Sequence, residues 1–176
     1  RMRLRGGEGK GLMKRTMRRY LPDDILYRQK MGFVTPIAQW FRGPLAEAAR
    51  GIGTSAALAR SEAAKRNRPV LLRARNENWS EGWDVFVDLN NNANLDAGEP
   101  LIIHQDTPDD VIIRGNSPVA WYIRYTPTGR AKLLGGAFQA GTLTLCHART
   151  TIDNRKLILS PSGRIRTERH TTNESC

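Results

Sequence analysis

A run of oxygen-bearing side chains lies between two apolar segments in the middle of the chain. Acidic and amide residues occupy alternating positions of a twelve-residue stretch and its last position: Asp88, Asn90, Asn92, Asn94, Asp96 and Glu99. This is the ligand spacing of a calcium-binding loop, in which the final Glu binds the ion with both oxygens. Ala93 replaces the usual Gly, however, and the flanking segments are typical of strands. The pattern therefore favours a polar hairpin loop, with calcium binding as the alternative.

A second candidate site is a basic segment near the C-terminus. Residues 160–163 (Ser-Pro-Ser-Gly) are typical of a turn, and Arg164 and Arg166 follow it. In an extended chain these side chains project from one face about 7 Å apart, with Ile165 facing the core. Two guanidinium groups at that spacing can bridge phosphates of a nucleic acid, and the nearby Arg169 would extend the patch. The alternative is a solvated strand edge that uses charge to prevent sheet pairing.

No other set of residues has the spacing of a catalytic or metal site. The three histidines are scattered, without a second His or Cys at ligand spacing: His104, His147 and His170. The sequence shows no Ser-His-Asp arrangement, no phosphate-binding glycine loop and no pair of carboxylates. We therefore expect a non-enzymatic protein with no small-molecule substrate and no cofactor, apart from the alternative of calcium.

The charge distribution divides the chain into two segments. The net charge is +11, but residues 1–50 contain 12 Lys and Arg against 4 Asp and Glu, whereas the remainder contains 16 against 13. Such asymmetry suggests two origins. With 176 residues, of which 39% are hydrophobic, the chain is long enough for one packed domain or two small ones. The sequence has no apolar run of membrane-spanning length and no secretory signal.

The elements that must position these candidates change character near residues 51–54. Residues 1–50 indicate short helices interrupted by prolines, and Gly51–Thr54 is expected to be a break before one helix, Ser55–Asn67. Seven short strands follow: Val70–Leu72, Trp83–Val87, Leu101–Ile103, Val111–Ile113, Trp121–Tyr125, Thr142–Cys146 and Leu157–Leu159. No helix separates the strands, so the sequence predicts an α+β domain with an antiparallel sheet. We expect Trp79, Trp83 and Trp121 in its core.

The front segment resembles the C-terminus of asparagine synthetases, and most closely the amidotransferases of exosortase-linked polysaccharide systems. The similarity covers Gly9–Leu45 and includes the pattern Lys-x-Gly-Phe-x-x-Pro, formed by Lys30, Gly32, Phe33 and Pro36. The resemblance implies that Lys30 derives from a lysine close to the phosphates of ATP or an acyl-adenylate. The family's N-terminal cysteine nucleophile and pyrophosphate loop have no counterpart in the sequence. The alternative function is thus a fragment of a glutamine-dependent synthetase without an active site.

The larger segment, from about Thr54 to Arg166, resembles minor pseudopilins of type II secretion and minor type IV pilins of the GspH/FimT group. Matching stretches include residues 79–88, 90–100 and 162–166, in the order found in that group. The resemblance implies a pilin-like fold, preceded here by a short helical appendage. It also implies assembly with other minor pilins or pseudopilins in the tip complex of a pilus or secretion pseudopilus.

The resemblance also implies roles for particular residues. In transformation-type minor pilins a Gly-Arg-x-Arg motif is associated with DNA binding, and Gly163, Arg164 and Arg166 match it. Related minor pilins attach the C-terminal tail to the sheet through a disulfide bond, which here would join Cys146 to Cys176.

These resemblances predict two parts, a synthetase-like fragment over residues 1–50 and a pseudopilin domain over residues 54–176. Proteins of the pilin group carry a leader and an inner-membrane helix ahead of a periplasmic domain. The synthetase-like segment stands where that helix is expected. We therefore interpret the chain as a fusion or gene remnant that is cytoplasmic as written.

Overall fold

The computed structural model describes residues 16–20 and 43–170, apart from the side chains of 150–153 and 170. The chain falls into two units, Arg1–Ile37 and Ala38–Cys176. In the first unit the described residues form a helical turn, in which the Tyr20 amide donates to the Met17 carbonyl at 2.9 Å. Residues 1–15 and 21–42 of the expected helical appendage lie outside the described residues, and residues 43–50 belong to the second unit.

A single long helix, α1 (Pro44–Arg66), opens the described part of the second unit. Proline suits its first position because that residue needs no amide hydrogen bond. The helix ends at Asn67, which adopts a left-handed conformation with φ 51°. The prediction of a helix starting at Ser55 is therefore wrong, and Gly51–Thr54 lie inside α1. A Cβ at Gly51 would lie 3.0 Å from the Trp83 ring, so this glycine permits close packing and does not break the helix.

Eight strands follow α1 and form two antiparallel four-stranded sheets. Sheet 1 has the order β3-β2-β1-β5 and sheet 2 the order β4-β6-β7-β8. The bounds of the strands are β1 Val70–Ala74, β2 Trp83–Val87, β3 Leu101–Gln105, β4 Val111–Gly115, β5 Tyr122–Tyr125, β6 Gly141–His147, β7 Thr150–Leu159 and β8 Ile165–His170. The α+β class and the seven predicted strands are confirmed. The eighth strand carries Arg166 and Arg169 of the predicted basic segment.

The core lies where α1 packs against both sheets. The helix contributes a buried face of mostly small side chains: Leu45, Ala48, Ala49, Ile52, Ala56, Ala59 and Ala63. Two buried indoles make hydrogen bonds between different segments of the core. Trp83 Nε1 donates to Ser55 Oγ at 3.0 Å, and Trp79 Nε1 donates to the Val119 carbonyl at 3.1 Å. Trp121 precedes β5 and is 50% exposed, so its predicted place in the core is wrong.

Across residues 16–20 and 43–170, no helix has the length and apolar character needed to cross a bilayer.

The first ten residues of α1 should contribute to the stability of the domain. We predict that a fragment beginning at Gly43 is more stable than one beginning at Thr54. The shorter fragment loses the burial of Leu45 and Ile52, worth about 3–6 kcal/mol together. The measurement is the free energy of unfolding in urea. In the full chain, Ile52→Ala should be destabilising, whereas Thr54→Ala should be close to neutral because that side chain is exposed. Equal stability of the two fragments would contradict the prediction.

Candidate functional site

Two hairpins with the same sequence pattern meet beside α1. Residues 126–130 (Thr-Pro-Thr-Gly-Arg) follow β5, and residues 160–164 (Ser-Pro-Ser-Gly-Arg) join β7 to β8. In both, the first residue's amide donates to the Arg carbonyl, at 3.0 Å in the first hairpin and 2.9 Å in the second. The Gly amide donates back to the first residue's carbonyl, at 2.8 and 2.9 Å. The two hairpins therefore share one backbone conformation.

Hydroxyl groups reinforce this conformation in the same way in each hairpin. Thr126 Oγ1 lies 3.0 Å from Thr128 Oγ1, and Ser160 Oγ lies 2.9 Å from Ser162 Oγ. The first hydroxyl of each hairpin also donates to the carbonyl of its arginine, at 3.0 and 3.1 Å. These hydrogen bonds therefore fix the backbone that carries the arginine at the end of each hairpin.

Gly163 of the Gly-Arg-x-Arg segment has a structural role in this arrangement. Its φ is +79°, which only glycine adopts readily, and Gly129 has a matching φ of +73°. A Cβ at Gly163 would lie 2.5 Å from the Gly129 carbonyl oxygen and 3.1 Å from the Tyr125 ring. A Cβ at Gly129 would lie 3.0 Å from Arg60 Nε. The glycines therefore let the two hairpins, Tyr125 and Arg60 approach closely.

The three predicted DNA-binding arginines do not lie on one surface. The strand begins only at Ile165, so Arg164 ends the turn and lines a groove beside α1. Arg166 is exposed on the other face of β8, where its guanidinium lies 3.1 Å from the Glu168 carboxylate. Arg169 is three residues further along β8, and alternation of the strand places it on the face opposite Arg166. The structure thus separates Arg166 from the groove that Arg164 lines, while Ile165 packs against the core as expected.

The groove that Arg164 lines has a volume of about 640 Å³ and lies between α1 and the two hairpins. Its second basic residue is Arg60 of α1, and no acidic residue among those the structure describes lines it. Tyr125 also lines the groove, and its hydroxyl is buried with no hydrogen-bond partner in the described part of the chain. Burial raises the pKa of this hydroxyl, and the positive charge of Arg60 opposes the shift. The sequence alone did not identify Arg60 or Tyr125 as site residues. The signal available for the hairpins was the five-residue pattern shared by residues 126–130 and 160–164.

In the loop after β2, residues 88–99, carboxylates accept hydrogen bonds from backbone amides of the loop itself. The buried Asp88 carboxylate accepts from the amides of Asn92 and Ala93, each at 3.2 Å. Glu99 accepts from the Leu89 amide at 2.7 Å and the Asp96 amide at 3.1 Å. In the described part of the chain, no group of three or more His, Cys, Asp or Glu side chains could hold a metal ion. The calcium alternative stays a prediction.

Asp96 is tied to the same loop by side-chain amides. The side chains of Asn90 and Asn92 each donate to Asp96 Oδ2 at 2.7 Å. These hydrogen bonds stabilise the carboxylate and hold the pKa of Asp96 below its ordinary value of 3.8. Asn91 and Ala93 have positive φ angles of 61° and 60°, as expected of a tight polar loop.

The loop also covers part of the outer face of sheet 1. Ala93 is buried against Leu71 and Phe86. Two arginines of the sheet hold the loop in place. Arg73 Nη1 donates to the Ala93 carbonyl at 2.6 Å, and Arg124 Nη2 donates to Asn91 Oδ1 at 2.5 Å. The loop is therefore a packed part of the domain.

Two further predicted residues lie outside the described part of the chain, namely Lys30 and Cys176. Cys146 is described: it is 4% exposed and pairs in register with Ile112 on the neighbouring strand of sheet 2. The vestigial nucleotide role of Lys30 and the Cys146–Cys176 disulfide stay predictions.

Replacement of Gly163 should reveal its structural role. We predict that Gly163→Ala lowers the free energy of unfolding by about 1–3 kcal/mol, because it combines a strained left-handed backbone with a clash. The measurement is urea denaturation of the variant and the wild type. Gly135→Ala is the matched control, since a Cβ there meets nothing within 4 Å, and its effect should stay within about 0.5 kcal/mol. Equal losses in the two variants would contradict the prediction.

The lowered pKa of Asp96 predicts a pH-dependent contribution of the loop to stability. The unfolded chain binds the proton more readily, so this contribution is present above the ordinary pKa and is lost as pH falls through the folded-state value. Asp96→Asn should therefore be less stable than the wild type near pH 7, and the difference should shrink in acid. Asp109→Asn is the control, since that exposed carboxylate makes no described hydrogen bond. A difference that is constant from neutral to acidic pH would refute the assignment.

Solved structures show the same fold in two crystal forms of one protein, the type IV minor pilin FimU of Pseudomonas aeruginosa. In the first form the TM-score is 0.54 and the identity 22%, covering 70% of this chain and 87% of that chain. In the second the TM-score is 0.53 and the identity 22%, covering 69% and 90%. A comparison with curated protein sequences finds no match.

Two family profiles match the sequence itself. Residues 1–88 match asparagine synthase. Residues 48–163 match the family described as type II transport protein GspH, and that match ends at Gly163, immediately before Arg164. The second match spans more than half of the chain and coincides with α1 and most of the two sheets. The chain therefore belongs to the GspH family of type II transport proteins.

Proposed function

We propose that the chain is a minor pilin or pseudopilin subunit that contacts DNA through the hairpin between β7 and β8. Membership of the GspH family implies assembly with other pilins. The observation that carries the DNA contact is Arg164. It follows a rigid turn, it is exposed, and it makes no ion pair among the described residues. An unpaired guanidinium on a fixed backbone is available to a phosphate at little conformational cost.

Arg166 supplies a second, weaker contact in this proposal. Its partner Glu168 is 49% exposed, and an ion pair so open to water is worth at most about 1 kcal/mol. A phosphate therefore competes with Glu168 for the guanidinium without a large penalty. Because few phosphates are contacted, binding is weak and sensitive to salt.

Protein contacts supply the rest of the proposed role. Several large apolar side chains of the domain are exposed, and such side chains suit contacts with neighbouring subunits. They are Leu89, Leu95, Leu101, Trp121, Leu134 and Phe138. We propose that the neighbouring subunits are other minor pilins or pseudopilins at the tip of a pilus or secretion pseudopilus.

The origin of the front segment is also part of the proposal. The asparagine synthase match extends over residues 1–88 and overlaps the GspH match from residue 48. The overlap falls on α1, β1 and β2, which form the core of the pilin-like domain. We assign the overlap to the pilin-like domain and propose that the chain is a fusion of a synthetase-like segment to that domain.

Substitution of the hairpin arginines should weaken DNA binding. We predict that Arg164→Ala raises the Kd for a fluorescent DNA duplex about three- to tenfold and lowers the salt dependence by about one counterion. Arg166→Ala should have a smaller effect because Glu168 already engages that side chain. Fluorescence anisotropy at several salt concentrations measures both quantities.

The matched control is Arg68→Ala, which removes the same charge just beyond the C-terminal end of α1. It should change the Kd much less than Arg164→Ala. Equal effects of the two variants would indicate attraction by net charge alone and would contradict a contact at the hairpin.

A further inference from the structure

We propose that the groove between α1 and the two hairpins is a phosphate site, in which Arg60 and Arg164 hold one phosphodiester group of a nucleic-acid strand. This inference rests on the proposed DNA contact and deepens it, because it moves the contact from the open edge of β8 into a built site. It also assigns a role to Arg60, a residue of α1 that lies far in sequence from the Gly-Arg-x-Arg segment.

The geometry brings the two arginines to one place through the glycines. Gly129 packs under Arg60 on one side, since a Cβ there would lie 3.0 Å from Arg60 Nε. On the other side its carbonyl oxygen lies against Gly163, the residue before Arg164. Side chains at either glycine would push the helix and the hairpins apart. The absence of side chains at these two positions therefore lets α1 and the hairpins approach closely enough for both arginines to line one groove.

The charge of the groove is positive and unneutralised among the described residues. Neither Arg60 nor Arg164 has an ion-pair partner there, and no carboxylate lines the groove. The acids nearest in sequence are already engaged. Glu62 accepts from Lys65 at 3.2 Å and from Arg66 at 2.6 Å, and Glu168 pairs with Arg166. Two cations facing one concavity attract an anion more strongly than either does alone.

The remaining polar groups of the groove suit a phosphate better than an apolar ligand. Four hydroxyl-bearing residues line it: Ser61, Tyr125, Thr128 and Thr167. The Tyr125 hydroxyl is buried and has no hydrogen-bond partner among the described residues. A buried donor of this kind is costly when unsatisfied, and an anion entering beside Arg60 offers it an acceptor. Arginine pairs, hydroxyls and a free phenol are the donor set that phosphate oxygens require.

The experiment compares charge-matched variants in and just beyond α1, in the full chain. Arg60→Ala and Arg68→Ala each remove one arginine, inside and outside the groove. We expect Arg60→Ala to raise the Kd for single-stranded and duplex DNA about three- to tenfold, as Arg164→Ala does, with Arg68→Ala close to the wild type. Arg60→Lys should be intermediate, because it keeps the charge and loses the planar fork. Circular dichroism confirms that each variant is folded.

A second measurement locates the ligand directly. The side-chain Nε–H signals of Arg60 and Arg164 are followed by NMR during titration with DNA and, separately, with inorganic phosphate. We expect both signals to shift with either ligand. We also expect the shift of Arg60 to fall in Arg164→Ala, since the two side chains share one phosphate.

The outcomes separate this inference from the proposed DNA contact. If Arg164→Ala weakens DNA binding while Arg60→Ala behaves like Arg68→Ala, the groove is overturned and the hairpin contact stands. If both arginine signals shift with inorganic phosphate while the wild type binds no DNA, the nucleic-acid source of the phosphate is overturned together with the proposed DNA contact. If neither ligand moves the Arg60 signal, the site itself is refuted.

Discussion

The close approach of α1 to both sheets is the constraint on which the other features depend. It is possible because the buried face of the helix is built largely from alanine, with Gly51 set against the Trp83 ring. Small side chains bring the helix backbone near the strands, and the gap is filled by large residues of the sheets. The bond from the Trp83 indole to Ser55 then satisfies the polar group that this packing buries. The groove beside α1 exists because the helix is held at this distance.

The same principle of close backbone approach recurs where the two hairpins meet. Each hairpin belongs to a different sheet, and each repeats the same turn with a left-handed glycine. Contact between Gly129 and Gly163 therefore joins the sheets at one end of the domain. Packing and backbone geometry require a glycine at position 163, whereas the side chain of the neighbouring Arg164 is exposed. The structural requirement thus falls on Gly163, and the proposed phosphate contact falls on its neighbour Arg164.

Much of the fold follows from local patterns in the sequence, because alternation of apolar residues marks the strands wherever one face is buried. Gly51 and Gly53 misled the prediction of the helix start, since local propensity treats glycine as a helix breaker. Close packing against the Trp83 ring accounts for Gly51 inside the helix. The division into two sheets depends on pairing between distant strands, which local patterns do not encode. The presence of Arg60 and Arg164 in one groove has the same origin: α1 and the hairpin are distant in sequence, and only the tertiary contact between them defines the groove.

The polar loop on the outer face of sheet 1 has a consequence for the motions of the domain. Beneath it lie the apolar side chains of Leu71 and Phe86 and the nearly buried guanidinium of Arg124. Lifting the loop would expose all three groups to water together. A partial opening therefore has nearly the same free-energy cost as a complete one. The loop should accordingly open as one cooperative unit, and its amide hydrogens should exchange with solvent at one shared rate despite the loop's polar surface.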